Sequence, residues 1–223
     1  MIEKKRILIV DDHLLIIDGY RNALKFGFSH INHISFEIDF AVDCDSAIKK
    51  IETSKKNKPF DIIILDLSLP KSKSSKINSG EDLGLWIKSE LPEVKLIVIT
   101  GFDSNIKVNY VLKQINPIGF LLKKEMSSMD LVSAIGEVLE NRPFFSPTVT
   151  KNLRQLNSST LHIDDISTEI LVEISNGTRT KDMHKYIHLS MSSIEKKKKS
   201  LKKLFKVETD RDLILKAKAK GFL

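Results

Sequence analysis

The chain has 223 residues, 36 basic and 29 acidic side chains and one cysteine, enough for one large domain or two small ones. No apolar run approaches the length of a membrane span, and Met1-Ile-Glu-Lys-Lys-Arg6 lacks the apolar stretch of a signal peptide. Cys44 stands alone, so no disulfide framework exists; a reducing, cytoplasmic setting is expected, with Cys44 a quiet helix-entry residue.

In chain order, Arg6-Ile-Leu-Ile-Val10 is a short apolar run that ends in Asp11-Asp12. A helix is expected over His13–Phe26, with Leu14, Leu15, Ala23 and Leu24 at helical spacing. Glu37–Val42 reads as the second strand, and Ser46–Ile51 as a helix with Ala47, Ile48 and Ile51 on one face. Ile62–Leu65 runs into Asp66, Glu81–Leu91 is helical, and Leu96–Ile99 runs into Thr100. Phe120–Leu122 then runs into Lys123, and Asp130–Leu139 closes the series as a helix. Short β-branched runs bounded by polar residues are strands buried on both faces. Their alternation with amphipathic helices predicts an α/β fold: a five-stranded, doubly wound parallel sheet with right-handed crossovers.

In such a sheet the carboxyl ends of the strands form the ligand crevice. Asp11, Asp12, Asp66, Thr100 and Lys123 therefore converge on one edge. Three carboxylates so close repel one another unless a cation joins them. Mg²⁺, which prefers oxygen ligands and binds through one or two carboxylates plus a phosphate, is the natural candidate. Asp66 could attack phosphorus, Lys123 pair with the phosphoryl group, and Thr100 donate its hydroxyl to it. Taken singly each residue has a plainer reading: an aspartate as helix cap, a lysine as solvated charge. All of them at strand ends of one sheet make the plain readings hard to sustain together. A haloacid-dehalogenase-type phosphatase would need a second aspartate two residues after Asp66, where Ser68 stands, and no glycine-rich phosphate loop follows the first strand.

Residues 5–140 resemble the receiver domain of bacterial two-component response regulators. Asp11 and Asp12 match its acidic pair, Asp66 its phosphoacceptor, Thr100 its switch hydroxyl, Phe120 its switch aromatic and Lys123 its lysine. The strings Asp11-Asp12-His13 and Gly119-Phe-Leu-Leu-Lys123 are most similar to the NarL/FixJ subfamily. The resemblance implies Mg²⁺ held by Asp11, Asp12, Asp66 and the backbone carbonyl of Ser68. It also implies a histidine kinase as phosphoryl donor, and a switch in place of a turnover enzyme. Two departures stand out: Lys124 follows Lys123 where the family has proline or aspartate, and Leu69–Gly80 is longer than usual. That segment, rich in lysine and serine, reads as a surface loop beside the site, either a tolerated insertion or a gating element.

Charge divides unevenly along the chain. Residues 151–223 hold 16 basic and 9 acidic side chains, so the whole formal charge of +7 lies there. Breakers between Asn141 and Thr160 mark a linker over 141–163, with a short helix near Val149–Leu156 as one reading. The expected division is a receiver over 1–140 and a smaller all-α domain over 164–223.

In the basic part, Ile166, Ile170, Leu171 and Ile174 share a face and stop at Asn176-Gly177. A second helix runs from Thr180 to Tyr186 or Ile187, a third from Ser190 or Ser192 to Phe205, and a last one from Asp210. Two short helices with a tight turn, the second strongly basic, suit a helix-turn-helix. Lys196, Lys199 and Lys203 form a stripe that could neutralise phosphates; a merely solvated lysine face is the alternative.

Residues 165–223 are similar to the LuxR-type helix-turn-helix through Glu169-Ile-Leu171, Gly177, Thr180-Lys-Asp-Met183, Ser193-Ile194, Leu201, Val207 and Ala219-Lys-Gly-Phe-Leu223. That resemblance puts Glu195, Lys196 and Lys199 at base-facing positions and Thr180, Lys181, Ser192 and Lys203 near phosphates. It implies duplex DNA as partner and a homodimer on activation, often through the last helix, here Asp210–Lys220; no membrane is involved. Glu195 and Lys197 depart from the family's usual lysine and histidine, and Glu195 could instead pair with Lys199. The competing reading is a receiver-controlled adaptor whose basic domain binds an acidic protein or RNA.

Overall fold

Strand β1 (Glu3–Val10) pairs in parallel with β2 (Ile34–Ala41) on one side and β3 (Ile62–Leu65) on the other. Outward from β3 follow β4 (Lys95–Thr100) and β5 (Gly119–Leu122), also parallel. A sixth strand, the dipeptide Phe144–Phe145, pairs in parallel with β5, so the order is β2-β1-β3-β4-β5-β6 and the expected count of five becomes six. The extra strand escaped sequence reasoning because two residues carry no periodicity; Phe144 and Ser146 donate to the carbonyls of Ile118 and Phe120, each at 3.0 Å. The computed structural model describes every residue except Met1, Asn32, Lys56, Asn57, Lys71, 73–76, Asn78, Asp103, 159–162 and Gly221. Six of those fall in the long loop after Asp66, which is thus only partly within the described residues.

The crossovers are α1 (Leu14–Gly27), α2 (Cys44–Lys55), α3 (Gly80–Glu90), α4 (Asn105–Tyr110) running into a π-helical turn (Val111–Ile115), and α5 (Ser128–Leu139). Alternation in the strands sends Ile7, Ile9, Ile62, Ile64, Ile97, Ile99 and Leu121 into one cluster with α1 and α5. The intervening Leu8, Val10, Ile63, Leu65, Val98 and Phe120 are buried as well. Burial on both faces of β3, β5 and the C-terminal parts of β1 and β4 is why these runs are continuously apolar, each large apolar side chain contributing about 1.5–3 kcal/mol. Local signals set the helix starts: Ser79 caps α3 through the Asp82 N–H, and Ser127 with Asp130 forms a capping box at α5.

The chain divides into two compact units, Met1–Asp103 with Tyr110–Thr150, and Ser104–Asn109 with Lys151–Leu223. Helix α6 (Pro147–Ser158) occupies much of the expected linker. Beyond it come α7 (Asp165–Ser175), a 3-10 helix (Thr180–Lys185), α8 (Met191–Phe205) and α9 (Asp210–Ala219). The second of the four expected helices, which opens the helix-turn-helix, is therefore a 3-10 helix, and the strongly basic one after it is α8. Ile170, Leu171, Met183, Ile187, Ile194, Leu201, Phe205, Leu213 and Ala217 form the core of this part. Gly177, at φ 79°, takes the left-handed conformation that ends α7.

Gly80 starts α3 where the helix meets the strand end that carries Asp66. A Cβ there would lie 2.5 Å from the Leu67 Cα and 2.6 Å from the Asp66 carbonyl oxygen. Both are backbone atoms, which yield poorly. Gly80→Ala is expected to lower stability by about 1–3 kcal/mol through overpacking, measured by urea unfolding; a neutral result would mean that α3 can shift away from Asp66 without cost.

The charge on Asp164, at the start of α7, also has a readable cost. Its carboxylate accepts from the Ser167 N–H at 2.8 Å and pairs with Lys197. The Lys197 ammonium and then the Ser167 bond hold it at about 2, below the ordinary aspartate value of 3.8. A depressed carboxylate contributes stability above its unfolded value and loses it as the pH falls through the folded one. Asp164→Ala is expected to cost about 1 kcal/mol at neutral pH as a lost cap. The gap from wild type should close between pH 3.8 and about 2 in acid-unfolding curves.

Candidate functional site

The register of the sheet turns sequence positions into neighbours. Val10 is paired with Leu65, Leu65 with Val98 and Thr100 with Leu122, so the residues that follow β1, β3 and β5 lie along the same edge as the end of β4. The Asp66 N–H donates to the Val10 carbonyl at 2.8 Å and the Asp11 N–H to that of Ala41 at 3.1 Å, which carries the ladder one residue beyond the strands. Asp11, Asp66 and Thr100 are all buried, with 1–2% of their surface exposed.

Lys123 joins the two carboxylates. Its Nζ donates to Asp11 Oδ2 and to Asp66 Oδ2, both at 2.7 Å. Burial alone would lower the lysine's pKa, but the bonds and charges of Asp11 and Asp66 outweigh it and raise the value above 10.5. The other Asp66 oxygen, Oδ1, accepts from the Ser68 N–H at 3.0 Å, so both oxygens of that carboxylate are oriented. Two buried like charges are tolerated because an ammonium is shared between them, with bonds of charge-assisted length.

The acidic pair is split by environment. Asp11 is buried, whereas Asp12 is exposed and lies 2.9 Å from the His13 ring nitrogen. Asp11, Asp12 and His13 offer ligand atoms all within 4.8 Å of one another. Asp66 is outside that group, and Ser68 is present through its N–H donation to Asp66. The Thr100 Oγ1 accepts from the Phe102 N–H at 3.2 Å, and Phe120 is fully buried on β5.

Tyr20 is a member of this neighbourhood that sequence reasoning missed. It is buried on α1, and burial, then the Asp11 and Asp66 charges, push its phenol pKa up. Its spacing from Ile17 and Leu24 marked it as inward-facing, three before and four after. A second missed feature follows Lys123 directly. The Glu125 carboxylate takes the Thr148 N–H at 3.1 Å and the Thr148 hydroxyl, at the start of α6. Burial works against the Glu125 charge, yet the Thr148 bonds hold its pKa below the usual range.

In the helical part the lysines of α8 sort into two sets. Lys197 pairs with Asp164, while Lys198 and Lys202 reach Asp210 at 2.6 and 2.7 Å. Lys198 also donates to the Thr180 hydroxyl at 2.8 Å, so that expected phosphate contact is engaged internally. Lys196, Lys199 and Lys203 are exposed and make no ion pair among the described residues. Glu195 is exposed too, and the alternative of a pair with Lys199 is not seen among the ion pairs of the described residues. Lys181 is exposed, its carbonyl bonded to the His184 ring, and Ser192 bonds the capping Ser190 at 3.1 Å.

Comparison with known proteins gives one family. The response regulator receiver domain matches residues 7–136. The chain is 26% identical to the oxygen regulatory protein NreC of Staphylococcus haemolyticus, over 85% of this chain and 86% of that protein. It is 25% identical to the transcriptional regulatory protein ComA of Bacillus subtilis, over 98% and 100%. The RcsB response regulator of Salmonella typhimurium superposes with a TM-score of 0.62 at 23% identity, over 94% of this chain and 97% of that one. RcsB in complex with DNA gives 0.61 at 22% identity. These structures share the fold.

The shared ammonium sets a stability expectation. Lys123→Met leaves two buried carboxylates without their cation and should cost about 3 kcal/mol at neutral pH. Adding Asp11→Asn to that variant should recover part of the loss in a double-mutant cycle by chemical denaturation. A fully additive cycle would mean that Lys123 and Asp11 do not interact energetically.

Proposed function

The chain belongs to the response regulator receiver family, and from that premise we propose that it is a phosphorylation-switched transcriptional regulator acting in the cytoplasm. Asp66 is the phosphoacceptor of a receiver over 1–140, and a helix-turn-helix over 164–223 binds duplex DNA through α8. The observation that carries this reading is the Lys123 ammonium 2.7 Å from both Asp66 and Asp11 at the strand ends.

The residues' own chemistry follows from that placement. One Asp66 oxygen attacks the phosphorus of the donor, forming a P–O bond as the donor's bond to phosphorus breaks and its leaving group departs. Lys123, already in contact with Asp66, moves its charge onto the new phosphoryl group, whose oxygens are better acceptors than the carboxylate they replace. Thr100, one strand away, donates its hydroxyl to a phosphoryl oxygen, and Phe120 adjusts behind it. The exposed and buried aspartates at 12 and 11 fit a small oxygen-loving cation such as Mg²⁺, with Asp66 and the Ser68 carbonyl completing the set. When bound, that cation neutralises charge on the phosphoryl oxygens. A histidine kinase is the expected donor, and the chain is its own substrate and not a turnover enzyme.

For the output, the exposed Glu195, Lys196, Lys199 and Lys203 are free to meet a groove, with Lys181 and Ser192 flanking, while Lys197, Lys198 and Lys202 brace the domain. NreC and ComA are regulatory proteins by name, and a homodimer on linked half-sites would raise affinity without new contacts.

Two measurements test the reading. Incubation with acetyl phosphate and Mg²⁺ should add one phosphoryl by intact mass to the wild type and none to Asp66→Asn; equal mass gain in both would overturn the acceptor assignment. Replacing Lys196, Lys199 and Lys203 by alanine should reduce the slope of log affinity against log salt on duplex DNA by about 2–3. An unchanged slope would hand the basic domain to another anionic partner.

A further inference from the structure

Two histidines lie in the turn that leads into α8, and neither has a part in the surface assigned to DNA. Met183 and Ile187, four apart, are buried in the core of the helical part. His184 and His188 each follow one of them, and both are exposed. With Lys181, Leu189, Ser190 and Met191 they line one open cavity of about 710 Å³. No carboxylate of the described residues lines it. Lys181 flanks α8 on the DNA-binding function proposed above, so the histidines share the surface that would meet a duplex.

A backbone bond sets the state of His184. Its Nδ1 lies 2.7 Å from the Lys181 carbonyl oxygen. A carbonyl only accepts, so Nδ1 carries a hydrogen and donates it, which leaves Nε2 a bare acceptor in the neutral ring. A bare acceptor repels phosphate oxygens. Protonation turns the same atom into a charged donor, the kind of group that bonds phosphate most strongly. The ionisable groups around the two rings come from three elements. The 3-10 helix holds Lys181 and the Asp182–Lys185 pair, joined at 2.7 Å, and Tyr186 follows it. Helices α7 and α8 pack against it, bringing Asp165, Glu169 and Glu173 on one side and Glu195 with its lysines on the other. Carboxyl, phenol and ammonium groups ordinarily titrate outside the interval from about pH 5.5 to 8, whereas imidazole titrates within it. The two histidines are thus the side chains of this surface suited to change charge there.

We propose that His184 and His188 are phosphate-binding residues of the DNA-facing surface, gripping the duplex backbone when protonated and releasing it when neutral. The inference rests on the DNA-binding function proposed above. Affinity for duplex DNA then rises as the pH falls through the histidine range. The competing reading is two solvated rings with no part in binding.

The test follows the full chain binding a fluorescently labelled duplex by anisotropy across a salt series. It is run at about pH 5.5 and about pH 8, either side of histidine's ordinary value of about 6.5. Each phosphate contact adds about 0.9 to the slope of log affinity against log salt, whatever the sequence, so the wild-type slope should be steeper by about 1–2 at the lower pH. His184→Gln with His188→Gln should give one shallow slope at both. His184→Arg with His188→Arg should hold the steep slope at both, which also shows that the altered surface still folds and binds. A wild-type slope indifferent to pH, or a pH effect that persists in the glutamine variant, overturns the histidine assignment and leaves DNA binding standing. No binding to the duplex at either pH overturns the DNA-binding function and the histidines with it.

Discussion

One ammonium shared by two buried carboxylates is the constraint on which this protein depends. Asp11 and Asp66 are almost wholly removed from water, and neither has a further cationic partner among the described residues beyond Lys123, apart from the exposed His13 beside Asp11. A buried carboxylate without a cation is costly, so the position of β5, which delivers Lys123, is tied to β1 and β3, which deliver the acids. On the function proposed above, a phosphoryl group on Asp66 would offer Lys123 stronger acceptors than the carboxylate it now holds.

What β5 is bonded to on its other side is β6 and the start of α6. Ser146 donates from its N–H to the Phe120 carbonyl, and two residues after Lys123 the Glu125 carboxylate closes on the N–H and hydroxyl of Thr148. Phe120 and Glu125, which flank Lys123 along the chain, are thus each bonded to the segment that opens α6. The residues after Asn141 are consequently ordered as a strand and a helix and continue the receiver's own sheet. A stretch rich in proline and serine became structured because its backbone found free acceptors along the open edge of β5.

In the helical part the division of the lysines follows from where acidic partners stand. Asp164 and Asp210, capping or opening α7 and α9, claim Lys197, Lys198 and Lys202. Burial raises and the two lysine bonds lower the Asp210 pKa, and the lowering wins. Lys196, Lys199 and Lys203, on the remaining face of α8, have no such partner among the described residues and keep their charge for solvent or an anion. A helix with this many lysines repels itself along its length. Pinning three of them to aspartates of neighbouring helices relieves that repulsion and leaves one stripe free.

The amino-acid sequence by itself determined the alternation of strands and helices and the polar residue at the end of each central strand. Buried strands need unbroken apolar runs, and chemistry at a sheet edge needs polar residues where those runs stop. It also determined the stripe of Lys196, Lys199 and Lys203, since helical spacing is a local property. Only the tertiary structure decided that Lys123 bridges Asp11 and Asp66, that Asp12 lies outside the buried pair, and that His13 turns its ring to the acids instead of capping α1. It also decided that Phe144–Phe145 is a strand and that Tyr20 lies near the acids. The physical reason is common to all of these. They are set by register between segments distant in sequence and by competition among charges for partners, and neither leaves a periodic trace along the chain.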